Sequence, residues 1–354
     1  MQETTWWLEH GDSAEVLRGL PAASVGALIT DPPAGISFMG KSWDGAKGGR
    51  DKWIAWLASI LSECRRVMKP GAYGWVWALP RTSHWTATAC EDAGFAVRDV
   101  LVHTFGTGFP KSRSLLKPAS EHWILIKAPG DLRELRIEEN RIGTEARSNP
   151  PKGKPSEGWG HQNKGEPREC TGRWPANFAL SHDDACTSSG TRKVKTGVAV
   201  MANRDGGVHN QVYGEFKRQP GTDVTYGDAD GTETVEAWQC VEGCPVAMLD
   251  EQSGGTASRF FYTAKPSTKE RSAGMAEGTK NTHVTVKATS LMQHLVRLIA
   301  APGDLILDPF AGSGTTGIAA VKEKCRFVGI EKEAEHVDIA AQRITFAANN
   351  TQKE

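Results

Sequence analysis

An α/β fold, with helices on both faces of a sheet, is what this 354-residue sequence predicts, and three observations lead to it. Short apolar runs alternate with stretches of helical apolar spacing over residues 1–130 and again over 255–346. Two of the short runs end in sharp turns, TDPPAG at 30–35 and LDPFAGSGTT at 307–316, each directly after a strand-like segment. The composition is that of an ordinary globular protein, apart from a high count of 12 Trp.

Residues 25–30 (VGALIT) are a short apolar run that reads as a buried strand. Residues 53–67 carry apolar positions at helical spacing and stop at Lys69-Pro70-Gly71, a helix-end signal. Residues 72–78 read as a strand, 83–93 as a helix ended by Gly94, and 97–104 and 122–127 as two further strands. After residue 255 the pattern resumes with a helix at 290–301, a strand at 305–307, a helix at 315–324, a strand at 326–330 and a helix at 334–346. Residues 131–254 differ: 143–175 is rich in Gly, Pro, Lys and polar residues, and no clear periodicity survives. Basic residues cluster there, with Arg173, Arg192, Lys193 and Lys195 among them, and a solvated surface accounts for such runs as well as a binding face does.

The formal net charge is zero, which argues against a general nucleic-acid coat protein but leaves room for a local basic face. No apolar run is long enough to span a bilayer, and the N-terminus lacks the basic start and apolar core of a signal peptide. The 7 Cys do not form a secreted disulfide pattern, so a reduced, cytoplasmic setting is expected, with Cys64, Cys90 and Cys325 in the core.

The turn after the 305–307 strand suits a ligand. Gly312 and Gly314 allow close backbone approach, and the helix that starts at Thr315 and Thr316 offers free N–H groups and a positive dipole end. Glu331 ends the next strand about twenty residues on, where a carboxylate can accept the ribose hydroxyls of a nucleoside cofactor. The glycines alone also fit a dinucleotide site, because Gly312, Gly314 and Gly317 meet its spacing. Phe310, just after Asp308, tips the choice, since it can cover an apolar part of a ligand and a polyphosphate has no use for it. In the other turn, Pro32 and Pro33 fix the backbone and remove two N–H donors, leaving their carbonyls and the Asp31 carboxylate as a wall of acceptors. Acceptors on both hydrogens of an aromatic amino group would orient it and favour a pyramidal, attacking nitrogen.

Together these turns resemble those of the amino-group DNA methyltransferases, which make N6-methyladenine or N4-methylcytosine. TDPPAG is similar to the family's (D/N/S)-P-P-aromatic catalytic motif at three of four positions, and LDPFAGSGTTG to its cofactor motif. The catalytic motif comes first, as in the family's beta arrangement. The resemblance covers roughly 1–130 and 255–346 and implies a seven-stranded, mostly parallel Rossmann-like sheet, split by a target-recognition region over 131–254. It implies S-adenosylmethionine as cofactor, held by Asp12, Thr285, Lys287, Asp308, Phe310, Ala311, Gly312, Gly314, Thr315, Thr316 and Glu331. It implies double-stranded DNA as partner, with base flipping and attack from an amino group held by Asp31 and the Pro32 carbonyl. Relatives of this arrangement often dimerise, although the sequence shows no interface signal. The departure is Ala34, where the family has a stacking aromatic; Phe38 or Trp43 is the expected substitute, unless both only pack the loop. Asp31, where Ser is the alternative, leans toward adenine. N4-cytosine methylation, a DNA-binding relative that has lost catalysis through Ala34, and methylation of RNA or a small molecule are the alternatives. In the middle region, Trp159, Trp174 and Arg173 are expected near DNA.

His182 and Cys186, with Cys240 and Cys244, are two pairs at zinc-ligand spacing. Residues 187–239 between them are poor in apolar side chains, so a metal clip at their ends is one reading and a surface His with scattered thiols is the other. Cys170 is a further candidate in place of His182.

Overall fold

The computed structural model describes residues 5–36, 44–45, 47–106, 108, 115–131, 134–149, 168–195, 198–199, 224–225, 231–264, 268–276, 278–283 and 285–351. The chain begins with β1 (Trp6–His10), α1 (Ser13–Gly19), β2 (Ala27–Thr30), α2 (Arg50–Val67), β3 (Tyr73–Ala78), α3 (Ser83–Asp92), β4 (Ala96–Thr104) and β5 (Ser120–Lys127). The middle holds β6 (Ile142–Asn149), β7 (Arg168–Arg173), β8 (Phe178–Ser181), β9 (Thr187–Lys195), β10 (Val198–Ala199), β11 (Val224–Thr225), β12 (Thr232–Gln239) and α4 (Pro245–Gln252). The last part runs through β13 (Tyr262–Ala264), α5 (Thr268–Arg271), α6 (Thr289–Ile299), β14 (Leu305–Asp308), α7 (Thr315–Lys322), β15 (Arg326–Glu331) and α8 (Ala334–Thr351).

One sheet organises the chain, in the order β1-β15-β14-β2-β3-β5-β4-β8-β13. All neighbours in it are parallel except the two pairs made by β5, which runs against β3 and β4. The sheet has nine strands where seven were expected. The extra pair, β8 and β13, extends the edge at β4, and β8 comes from inside residues 131–254. Its four residues, Phe178 to Ser181, are too short a run to show periodicity in sequence. The sheet pairing of β8 rests on β4, whose backbone Val102 N–H also reaches the Asn177 carbonyl at 3.0 Å.

The strands alternate between two cores, as the period of two requires. Ile29, Trp75, Leu125, Ile306 and Phe327 face α6, α7 and α8. Leu28, Val76, Ile124, Leu307 and Val328 face α1, α2 and α3. Burial on both faces explains why these strands read as continuous apolar runs. Leu28 is fully buried, and truncating such a residue to Ala typically costs about 2–5 kcal/mol. Cys64, Cys90 and Cys325 lie in these cores as expected. Outside the sheet, β9 and β12 form a hairpin in which Val194 is the one buried residue of β9. Among the described residues, no helix is long and apolar enough to cross a membrane.

Candidate active site

Parallel strands deliver their carboxyl ends to one edge of the sheet, where open α/β folds place their ligands. Asp31 follows β2, Asp308 closes β14, Glu331 closes β15, and His103 lies one residue from the end of β4. The antiparallel β5 brings its beginning to the same edge, and so places Glu121 there. A cavity of about 770 Å³ opens along this edge, within the range of about 300–1,000 Å³ typical of small-molecule sites.

The Gly-rich turn lines the cavity. Gly312 has φ +52°, and a Cβ there would lie 2.8 Å from His283 Nε2. Its N–H donates to Glu331 Oε2 at 2.7 Å, while Glu333 N–H donates to Oε1 at 2.9 Å. Both Glu331 oxygens are thus fixed by backbone donors yet keep lone pairs for a ligand. Burial pushes the Glu331 carboxyl upward, but His336 and these two N–H groups outweigh it and hold the carboxyl below its ordinary range. Phe310 packs against Trp56 with ring centroids 5.8 Å apart, giving the cavity an aromatic wall. Asp12 caps α1 by accepting from Ala14 N–H at 3.0 Å and lies 3.5 Å from Lys332 Nζ.

Asp308, which lines the cavity, and Gly314 both hold the turn itself together. The Asp308 carboxylate is 2 % exposed and accepts from Thr30 Oγ1 at 2.9 Å, Phe310 N–H at 3.1 Å and Thr316 Oγ1 at 2.6 Å. Burial pushes its carboxyl up to about 7, against the pull of these donors. Gly314 does not line the cavity. It caps α7 at φ +79°, and a Cβ there would lie 2.9 Å from Ala340 Cβ, so its glycine answers to helix packing. Behind the turn, buried Arg343 donates to the Ser313 carbonyl, to Ser313 Oγ at 3.0 Å and to Thr315 Oγ1 at 3.4 Å. Sequence spacing gave no sign of that brace.

The acceptor turn follows β2, the neighbour of β14 in the sheet. Asp31, Pro32, Pro33 and Ala34 all line the cavity. The Pro33 carbonyl accepts from Trp53 Nε1 at 3.2 Å, and Gly35 sits so close to Trp53 that a Cβ would lie 2.4 Å from its ring. Lys287, expected at the cofactor with Thr285, lines the cavity but turns its ammonium to two carboxylates: 3.1 Å from Asp31 Oδ2 and 3.0 Å from Glu121 Oε2. It also sits 4.2 Å from the Trp77 ring centroid. Glu121 is held by four donors, the others being Trp77 Nε1 at 2.6 Å, His103 Nδ1 at 2.9 Å and Trp123 Nε1 at 3.3 Å. His103 Nε2 continues the chain to Ser181 Oγ at 2.7 Å, on β8.

The charges in this network oppose one another. Burial pushes Asp31 up to about 6, with Lys287 pulling it back and Glu121 adding to the rise. Burial also acts against Glu121, but Lys287, His103 and Trp77 hold its carboxyl far below the carboxylate range. Lys287 loses solvation as well, and the two carboxylates more than restore its charge.

Other expected residues fall elsewhere. Phe38, Trp43 and Trp159 lie outside the described residues. Ala311 and Thr285 line the cavity. Arg173 is not free to meet DNA: it is buried and forms a bidentate pair with Glu233 at 3.0 and 2.7 Å. Trp174 is 62 % exposed beneath Arg141. His182, Cys186, Cys240 and Cys244 converge, with one ligand atom from each all within 4.8 Å of one another. Cys170 is not among them; it pairs with Arg147 across β6 and β7.

A family model described as DNA methylase, for N6 and N4 methyltransferases, matches residues 25–342. The chain is 36% identical over 72 residues to the DNA adenine methyltransferase YhdJ of Escherichia coli (strain K12), covering 20% of this chain and 24% of the relative. It is 44% identical over 105 residues to the type II methyltransferase M2.DpnII of Streptococcus pneumoniae, covering 29% of this chain and 36% of the relative. The chain thus matches between a quarter and about a third of the length of these curated relatives. Its fold is similar to that of the PvuII DNA methyltransferase (cytosine-N4-specific), with TM-score 0.51 at 13% identity over 99% of this chain and 93% of the other. With 25–342 matched by the family model, this chain belongs to the N6-adenine/N4-cytosine family of DNA methylases.

Proposed function

We propose that the protein is an S-adenosylmethionine-dependent methyltransferase that modifies adenine N6 in double-stranded DNA. The observation that carries this reading is that Asp31, in its acceptor turn, and Glu331, beside the Gly-rich turn, line one cavity. The donor and acceptor set there fits the cofactor. Glu331 keeps lone pairs for the ribose hydroxyls, Phe310 and Trp56 supply an apolar wall, and the N-terminus of α7 favours a carboxylate. When bound, S-adenosylmethionine supplies an electrophilic methyl group.

The residues of this chain act on the base. A stacked, paired amino group cannot reach the cavity, so the target nucleotide is flipped out of the duplex. The Asp31 carboxylate and the Pro32 carbonyl accept the two amino hydrogens and aim the nitrogen lone pair. Asp31 also stabilises the positive charge that develops on the nitrogen and is placed to take the proton it releases. Lys287, anchored by Glu121, keeps Asp31 ionised until the base arrives.

Two observations favour adenine: Asp rather than Ser precedes the prolines, and YhdJ, matched over 72 residues, is a DNA adenine methyltransferase. Residues 131–254 supply target recognition in this reading, with Trp174 and the exposed Arg192, Lys193 and Lys195 of β9 toward DNA. Incubation with unmethylated duplex DNA and labelled cofactor, followed by digestion to nucleosides and mass spectrometry, tests the proposal. N6-methyldeoxyadenosine is expected. N4-methyldeoxycytidine would establish the other base, and label in neither would refute methylation of DNA.

A further inference from the structure

We infer that His182, Cys186, Cys240 and Cys244 form a structural zinc site that pins the β9–β12 hairpin to the rim of the catalytic cavity. The site stands on its own geometry and does not depend on the methylation reading. Cys240 Sγ and Cys244 Sγ lie 3.4 and 3.5 Å from His182 Nδ1. With Zn–S near 2.3 Å and Zn–N near 2.05 Å, a tetrahedral ion sets its N and S ligands about 3.5–3.6 Å apart. A neutral ring nitrogen has one in-plane lone pair, so it cannot accept fully from two thiols at once. A cation between them satisfies all three atoms. One nitrogen and three sulfurs is an established structural zinc set.

The backbone is shaped for the same purpose. His182–Cys186 and Cys240–Cys244 are two loops of equal length, and each is closed by a turn: Cys186 N–H to the Asp183 carbonyl at 3.0 Å, and Cys244 N–H to the Val241 carbonyl at 3.2 Å. The His182 ring is fixed by stacking on Trp238, 4.1 Å between centroids at 26°. His182, Cys186 and Cys244 are buried.

The position supplies the role. Thr187 pairs with Gln239 at the foot of the hairpin, directly beside Cys186 and Cys240. Strand β9 is largely exposed, β12 is mostly half-buried, and among the described residues the apolar cluster at their base has four buried members, Leu180, Cys186, Cys244 and Val246. Such a cluster is too small to hold an arm of this length, and a four-ligand ion replaces the missing core. Its other anchor is polar: buried Glu233, between Arg173 and Arg259. His182 directly follows Ser181, the end of the polar chain from Asp31, and both line the cavity.

Metal analysis of the full-length, untagged protein purified from zinc-supplemented culture tests the inference. A single zinc ion per chain is expected, lost in Cys240→Ser and Cys244→Ser and kept in Cys170→Ser. If the two cluster variants fail to fold, the wild-type chain still decides. Cobalt(II) exchanged into it should give tetrahedral d–d bands with thiolate-to-cobalt charge transfer, and mercurial modification of thiols should release the zinc in step. Zinc retained undiminished by folded cluster variants would overturn the site. So would a wild-type protein with neither stoichiometric zinc nor cobalt–thiolate absorption.

Discussion

Replacing Lys287 with Met and, separately, Glu121 with Gln should move the acid limb of the pH–rate profile in opposite directions. In the proposed mechanism Asp31 accepts amino hydrogens only when ionised, and burial raises it to about 6. Activity should therefore fall as pH drops through about 6. The Lys287 ammonium, 3.1 Å from Asp31 Oδ2, opposes the rise caused by burial. A cation this close lowers a carboxyl by about 1–3 pH units, so its removal should carry the limb upward to roughly 7–9. Glu121 adds to the rise of Asp31 through its charge. Both carboxylates touch the same ammonium, so they lie within about 6 Å of each other, and neutralising one should lower the other by up to about 2 pH units at an effective dielectric constant near 20. The measurement is kcat/KM for unmethylated duplex DNA at saturating cofactor across pH 5 to 9, read as the apparent pKa, not as the rate. If Lys287→Met proves too slow to profile, Glu121→Gln decides alone by its direction. A limb unmoved in both variants, or moved upward by Glu121→Gln, would refute the role given to this network.

Further outcomes follow from the same geometry. Glu331→Ala should weaken S-adenosylmethionine by about 10- to 100-fold, since charged hydrogen bonds contribute about 1.5–3 kcal/mol each; calorimetry showing unchanged affinity would remove Glu331 from the cofactor site. Gly314→Ala forces a Cβ to 2.9 Å from Ala340 at φ +79°, and strain with overpacking should cost about 2–4 kcal/mol in urea unfolding. Glu233→Gln leaves Arg173 and Arg259 without their buried carboxylate, and should destabilise the chain by about 3–5 kcal/mol in the same assay. Phe105 lines the cavity and is half-buried. If it replaces the stacking ring missing at Ala34, Phe105→Ala should lose about 1–3 kcal/mol of DNA binding energy, whereas full methylation rates in Phe38→Ala and Trp43→Ala would exclude those two.

The parts of the site that announced themselves were backbone features. Pro32 and Pro33, Gly312 and the strand-end Glu331 are restricted by local conformation, and local conformation is written in adjacent residues. Strand β2 and helix α2 were legible because burial on both faces, or on one helical stripe, leaves a period. Glu121 was not legible, because only the reversed direction of β5 brings the start of that strand to the catalytic edge. His103 and Arg343 were hidden for a related reason: their partners, Ser181 and Ser313, are distant in sequence. Lys287 was legible as a residue of the site, but its pairing with Asp31 and Glu121 was not, since its motif fixes where its backbone runs and not what its long side chain reaches. Arg173 was misjudged. A basic residue in a polar stretch reads as solvent-facing, yet a single buried Glu233 draws it inward.

The placement of β8 bears on how this protein could be altered or have diverged. A recognition module spliced into a catalytic fold could be exchanged for another between two cut points. Here residues 178–181 are a rung of the catalytic sheet, and Ser181 closes the hydrogen-bonded chain that starts at Asp31. A chimera that replaced all of 131–254 would strip β13 of its parallel neighbour and leave His103 without its hydroxyl. Workable grafts must therefore keep Phe178–Ser181 and exchange only what lies on either side of it, as two separate pieces.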